Sequence, residues 1–388
     1  MGPALRKPLG VLIGENIAAL AIVLLAFGFF MVLDATAVSR NLKDASSFHA
    51  AKQLSWDLIG LTAFAAITML LPLPWVRRAA PALALFGLLL LLGVLLLGQE
   101  INGARRWFRF GFLSFQPSEF AKIAYVLWFA RFLEERRHLL HSIPRGVLPV
   151  LALMLLPTLL IAREPDLGNA ALLFFVLCGM AFVAGVRLAH LLIPLLCLLP
   201  PVVFLLLRFT HFKDRINAFL DPSGDVGGKG YQVQQALIAL GSGGPLGKGP
   251  GQGLQKMFYL PEAHNDFIFA IIGEDLGLIG CSLAIFLYGF IVWNAVRICR
   301  LAPDLFSLTA SFGLTCLFAG QAIINMAVVT NLFPNKGIAL PLISYGGSNT
   351  LFSLASLGVL ARIAQALPAD RPLELGAVRL EVRQGPLF

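Results

Sequence analysis

Three short stretches of this chain gather side chains that could do chemistry. The first, "YLPEAHNDFIFAIIGEDLG" (259–277), places Glu262, His264, Asp266, Glu274 and Asp275 at the mouth of an apolar run. Glu262 and Asp266 are four apart, so a helix would bring them onto one face with His264 turned away. Acids also suit the first turn of a helix, where the dipole favours them. Asp266, however, abuts "FIFAII", where solvent is being lost, and Glu274 and Asp275 lie two turns deeper. An acid inside a bilayer costs roughly 2.5–3.5 kcal/mol on insertion scales, so a cavity or cationic partners must offset it. A carboxylate at a partly dry boundary is also where burial raises the pKa towards that of a general base. Asp266 is the candidate base on these grounds.

The second stretch is "NGARRWFRFGFLSFQPSEFAK" (102–122). A planar guanidinium reads phosphate oxygens, and Arg105, Arg106 and Arg109 at one loop suit a diphosphate. Arginines at a membrane surface can equally lay their stems along apolar neighbours and keep only the head in water. Pro117 starts a helix with Ser118 and Glu119 in its first turn. Glu119 and Lys122, three apart, could pair locally, which on an exposed helix is worth only about 0.2–0.5 kcal/mol. The third stretch, "REPDLGNA" (163–170), is a turn that adds Glu164 and Asp166 beside Arg163.

Two glycine-rich pieces remain. "GSGGPLGKGPGQG" (241–253) contains Lys248 but fails the phosphate-cradling pattern G-x-x-x-x-G-K-[ST], because Gly follows the lysine. It reads as a flexible lid. "FPNKGIALPLISYGGSNT" (333–350), which holds Ser344, is too broken by Pro and Gly for a helix and reads as a re-entrant loop lining a cavity. Neither H-E-x-x-H nor G-x-S-x-G occurs, and no Cys/His spacing suits a metal.

The elements that must position these groups are set by composition. Of 388 residues, 58% are hydrophobic and 13% charged, against about 25% charged in soluble domains. Apolar runs lie near 11–33, 54–73, 80–98, 118–133, 146–162, 169–186, 189–207, 267–296, 305–329 and 350–367. Such lengths suit helices that cross a bilayer, whereas a barrel would show alternating segments of about ten residues. The expected fold is an all-α integral membrane protein of about ten transmembrane helices. The basic links "PWVRRAA", "RFLEERRHLLHSIPR", "GVRLAH" and "VRICRLAPD" fall on one side, which the positive-inside rule makes cytoplasmic, so both termini are inside. One polytopic domain spans 1–368, with a large outer loop at about 208–266 between the seventh and eighth helices. A short cytoplasmic tail, 369–388, follows. The first run is too long for a cleaved leader and reads as a retained span.

The net charge of +9 is scattered among links and the outer loop rather than forming a basic domain. That speaks against nucleic acid and for anionic lipids or phosphates. Four of five cysteines lie inside apolar runs and read as packing residues.

Taken in order, "KQLSW", "NGARRWFRFG…FQPSEFAK", "EPDLG", "GYQVQQALIALGSGG", "YLPEAHNDFIFA" and "LPLISYGGSNT" resemble the SEDS family (shape, elongation, division and sporulation), the FtsW/RodA/SpoVE type, and its FtsW members most. The resemblance covers most of the chain. It implies a peptidoglycan glycosyltransferase of the bacterial cytoplasmic membrane. Its members polymerise lipid II, the undecaprenyl-diphosphate-linked disaccharide-peptide, into β-1,4 glycan strands on the outer face during division or elongation. It implies as partners a class B penicillin-binding protein (a transpeptidase) and other divisome or elongasome membrane proteins. Asp266 corresponds to the family's essential loop aspartate, and Arg105, Arg106, Glu119, Lys122 and Asp166 match other motif positions. With Arg109, Glu262, His264, Lys248 and Ser344 they form the expected substrate-binding set. An α-linked donor and a β-linked product fit one inverting displacement with a single base. A divalent cation such as Mg or Mn at the diphosphate stays open. Three departures stand out: Asn265 where Thr is usual, Glu164 where Gln is usual, and Lys336 where Thr often sits. Two functions of other classes compete. A flippase for the lipid-linked precursor would need polar groups along its whole path, and a non-catalytic division scaffold would not need Asp266.

Overall fold

A backbone in lipid must satisfy its own polar groups, so the apolar runs become helices. The computed structural model describes residues 7–37, 43–101, 104–110, 113–193, 196, 217–221, 228–261 and 263–368. The first three helices are α1 (Leu9–Ala37), α2 (Lys43–Leu70) and α3 (Leu73–Leu97). A three-stranded antiparallel sheet follows, made of β1 (Gln99–Ile101), β2 (Ala104–Phe110) and β3 (Leu113–Phe115). The chain continues through α4 (Pro117–Glu135), α5 (Leu148–Arg163), α6 (Leu167–Val183), α7 (Lys229–Gly243), α8 (Ile268–Leu301), α9 (Leu305–Val329) and α10 (Gly347–Gln365). Of the expected run at 189–207 only residues 189–193 and 196 are described, and the tail at 369–388 lies outside the described residues.

Among the described residues, six helical segments are long and apolar enough to cross a membrane: Leu9–Thr36, His49–Leu70, Leu73–Leu97, Ile143–Arg163, Ile268–Leu301 and Leu305–Val329. α6 is a shorter apolar helix. α4 and α10, each 19 residues long, fall below that apolarity because they carry polar groups inward. On α4 these are Ser118, Glu119 and Lys122, and on α10 Ser348, Asn349, Thr350, Ser353 and Ser356, all buried. Both are shielded by more apolar neighbours, since α4 packs chiefly on α3 and α10 on α2 and α1.

Contacts sort the links into two ends of the bundle. At one, Arg77 pairs with Glu134, Arg131 donates to the Arg77 carbonyl at 3.1 Å, and Arg362 donates to the Leu71 carbonyl at 2.8 Å. At the other, the Gln116 amide donates to Ser348 Oγ at 3.0 Å and the Tyr345 amide to the His264 carbonyl at 2.9 Å. All the stretches singled out for chemistry meet at this second end.

The connection between α9 and α10 is irregular and enters the bundle: Leu340, Leu342 and Ile343 are buried, and the Tyr288 hydroxyl donates to the Pro341 carbonyl. Tyr288 lies about 16 Å along α8 from Gly277, at 1.5 Å per residue. That depth suits a re-entrant loop.

Candidate active site

Pro117 at the first helical position leaves no amide to satisfy there and sets α4 so that Glu119 and Lys122 turn into the bundle. Their pairing is buried, and it extends beyond the local pair. Lys122 Nζ donates to Glu119 Oε1 at 2.8 Å and to Asn169 Oδ1 at 2.6 Å. Asn169 Nδ2 donates in turn to Asp166 Oδ2 at 2.9 Å, while Asp166 caps α6 by accepting from the Asn169 amide at 3.2 Å. Gln321 of α9 reaches Glu119 Oε2 at 3.3 Å. The side chains of Glu119, Lys122, Asp166 and Asn169 are all buried. The structure thus joins the second and third stretches through Asn169. A small, partly open cleft lies against these side chains, lined by Glu119, Lys122, Gln321, Phe318, Phe352 and Ser353.

Asp266 is held from the same helix. Asn325, one turn beyond Gln321 on α9, donates from Nδ2 to the Asp266 carbonyl at 2.8 Å and to the Ile338 carbonyl at 2.7 Å. One helix face therefore fixes both the buried pair and the loop of the candidate base, about 6 Å apart along its axis. Two further bonds join the 263–267 segment to the re-entrant loop. Ser344 Oγ donates to the Asn265 carbonyl at 2.7 Å, and the Tyr345 amide donates to the His264 carbonyl at 2.9 Å, while the Leu340 amide braces Ser344 Oγ within the loop at 2.8 Å. Gly337 adopts φ 62°, and a side chain there would sit 3.2 Å from Asp266 Oδ2. Glycine suits both the backbone and the space beside the carboxylate. α8 begins at Ile268, so Asp266 precedes the helix rather than occupying its first turn.

The three arginines separate. β2 alternates faces, and Arg105 and Arg109 are exposed on one of them. Arg105 pairs with Glu100 of β1 at 3.5 Å, both side chains being at least half exposed. Such a pair is worth about 0.2–1 kcal/mol and yields readily to a better anion. Arg106 faces the other way and clamps the sheet onto the α5–α6 turn, donating from Nε to the Glu164 carbonyl at 2.7 Å and also to the Pro165 carbonyl.

The Glu164 side chain is fully buried, and neither carboxylate oxygen has a hydrogen-bond partner among the described residues. Burial, reinforced by nearby Asp166 and only partly opposed by Arg106, pushes its pKa from 4.5 up to about 9. At neutral pH it is a protonated, amide-like group, which accounts physically for a glutamate where the resemblance leads one to expect Gln. The folded state keeps a proton that the unfolded chain releases above about 4.5, so stability is fully present below that pH and is lost as pH rises towards 9. Glu164→Gln should remove this dependence. Its melting temperature should exceed the wild type's more at pH 8.5 than at pH 5.5, with glycan synthesis near wild type. An equal gap at both pH values would mean that Glu164 is ionised in the fold.

His264 belongs to a ring cluster, with centroids 5.8 Å from His49 and 5.5 Å from Tyr345. Lys248 is turned onto Glu274 at 2.8 Å. Glu262 lies outside the described residues. Among the described residues, no group of three or more His, Cys, Asp or Glu side chains is arranged to hold a metal ion. Asn169, Gln321 and Asn325 were not singled out from sequence. Their only signal was being amides inside apolar runs, where polar residues tend to mark function.

Comparison with known proteins agrees with the motifs. Residues 15–368 match the sequence model of the FtsW/RodA/SpoVE family, described as cell cycle protein. The chain is 39% identical over 368 residues to the probable peptidoglycan glycosyltransferase FtsW of Trichlorobacter lovleyi, covering 94% of this chain and 96% of that protein. It is 39% identical over 349 residues to stage V sporulation protein E of Bacillus subtilis, covering 89% and 95%. In three dimensions it superposes with TM-score 0.76 and 27% identity on a chain from a study of how a peptidoglycan synthase complex coordinates polymerization and crosslinking, covering 91% of this chain and 97% of that one.

Proposed function

The chain belongs to the FtsW/RodA/SpoVE family of cell cycle proteins, and from that premise we propose that it is a peptidoglycan glycosyltransferase that polymerises lipid II with Asp266 as general base. It is a multi-pass protein of the bacterial cytoplasmic membrane. The observation that carries the mechanism is the α9 face on which Gln321 and Asn325 tie the Glu119–Lys122 pair and the Asp266 loop to adjacent turns.

A lipid-linked donor places its diphosphate at the outer membrane boundary and its isoprenoid tail in lipid. The Asp266 carboxylate takes the proton of the acceptor's GlcNAc 4-hydroxyl as that oxygen attacks MurNAc C1. The bond from C1 to the diphosphate oxygen breaks in the same displacement, inverting the anomeric centre. The leaving diphosphate carries its charge towards Arg105 and Arg109, donors placed in advance for it. Lys122, held by Glu119 and Asn169, supplies the positive charge beneath. The basic links lie at the other end of the bundle, which puts that end in the cytoplasm and this site outside. The superposition on a chain of a peptidoglycan synthase complex supports a transpeptidase partner of the class B penicillin-binding type.

Purified chain with its partner and labelled lipid II should form glycan strands. Translocation of lipid II across proteoliposomes without any strands would favour the flippase, and neither activity would favour the scaffold.

The arginines should behave differently from one another. Arg105→Ala should weaken binding of a diphosphate-bearing analogue with little change in melting temperature, and Lys should rescue it only partly, because a point charge lacks the fork. Arg106→Ala should lower the melting temperature by releasing the sheet from the 164–166 turn. Unchanged analogue binding in Arg105→Ala would make Arg105 a surface residue only.

A further inference from the structure

Helix α8 is broken at Gly277, where φ is 65° and ψ −158°. This leaves 268–276 as a half-helix with Asp266 just ahead of it. Such a break strips amide and carbonyl groups of their helical partners, and the glycine-rich segment supplies replacements. The Lys248 and Gly249 amides donate to the Glu274 and Asp275 carbonyls, each at 2.9 Å, and the Leu278 amide donates to the Gly244 carbonyl at 3.0 Å. A side chain at 277 would run into the backbone of Gly247.

The half-helix also ends in two acids, the sign its C-terminal dipole disfavours. Both are fully buried and both are gripped. Glu274 accepts from Lys248 Nζ at 2.8 Å and from the Leu254 and Gln255 amides at 2.9 and 3.0 Å. Asp275 accepts from the Gly253 amide at 3.1 Å and from Lys256 Nζ at 2.7 Å. The Lys256 side chain is wholly buried and also bonds Asp34 of α1. The segment that reads as a loose lid is therefore a clasp, and Lys256 is its pin.

We propose that Lys256 is a positioning residue for Asp266, pinning the 268–276 half-helix to α1 so that the carboxylate ahead of it stays at its place beside Gly337. The proposal rests on the reading of Asp266 as the base. A continuous helix would transmit its own orientation, but one broken at Gly277 does not, so the angle of the half-helix is set by what grips it. On its other side the half-helix continues into the irregular 263–267 segment, which Asn325 and Ser344 hold by its backbone carbonyls.

The test uses the full-length chain in lipid nanodiscs with lipid II and the partner. Lys256→Met should lower kcat by about 10²-fold, the scale expected when a catalytic group is displaced by an ångström, with KM little changed. Amide exchange should quicken in 253–256 and 268–276 while α9 and α10 keep their protection. Asp34→Asn keeps the Lys256–Asp275 pair and so secures a folded variant. It should show the same exchange pattern with a smaller loss of kcat. If Lys256→Met does not fold, Asp34→Asn decides alone. Folded variants with wild-type kcat and unchanged exchange at 268–276 would overturn the proposal. If Asp266→Asn stayed active while exchange quickened in Lys256→Met, the base assignment would fall and the clasp would stand. Unchanged exchange overturns the clasp whatever Asp266 does.

Discussion

Asp266→Asn should abolish strand synthesis, by about 10²–10⁴-fold for loss of a general base, while the protein folds and holds lipid II as before. The asparagine keeps the shape of the side chain and removes only the basic oxygen. Folding should survive because this residue is anchored through its backbone: Asn325 donates to the Asp266 carbonyl, a bond that the substitution leaves in place. Three measurements separate the possibilities. They are glycan strands from labelled lipid II, binding of a diphosphate analogue, and the melting temperature in detergent. Strand synthesis near the wild-type rate would remove Asp266 from the chemistry.

Lys122 should give the second large effect. Among the described residues, Lys122→Met leaves buried Glu119 with the Gln321 amide as its side-chain partner, and stranding one member of a buried ion pair costs about 3–5 kcal/mol. Poor expression and a lost melting transition are expected. Glu119→Gln with Lys122→Met removes both charges together and should restore folding. Synthesis should nevertheless stay down by about 10²–10³-fold, the cost of losing one charge-stabilising donor at a transition state. The reason lies in the second bond of Lys122: it reaches Asn169, which holds Asp166. A double variant both stable and fully active would return the pair to a packing role.

The helical bundle and the groups of the candidate site are legible in the sequence because both are written in residue type. An apolar run of 25 residues such as α9 (Leu305–Val329) announces itself, and a Lys three residues after a Glu inside such a run cannot be ignored energetically. What escaped depends on distant partners. Gly277 in the middle of a run looks like any small helical residue; its left-handed backbone is imposed by Gly244, Lys248 and Gly249 docking on either side of it. The segment 241–253 looks mobile by composition, yet its many glycines are what let its amides approach Glu274 and Asp275. α2 starts at Lys43 rather than near 54 because its polar first turns are helical without being apolar. Arg106 could not be told from Arg105 until the strand alternation placed them on opposite faces. The short strands carry no run long enough to read.

The polarity of α4 has a consequence for how the chain enters the membrane in the first place. As each segment leaves the ribosome it must partition from the translocation channel into lipid, and a lysine within the segment disfavours that step, by up to about 2.5–3.5 kcal/mol at a helix centre. α4 also carries Glu119, Arg131, Glu134 and Glu135, although the last three lie near the aqueous end. Its predecessor α3 is among the strongly apolar helices and is the one α4 packs against most. Among the described residues the connection between the two is the small outer sheet, so they are suited to insert as a hairpin, the apolar arm carrying the charged one. Residues 99–116 thereby set the spacing of that hairpin during biogenesis as well as displaying arginines in the finished protein.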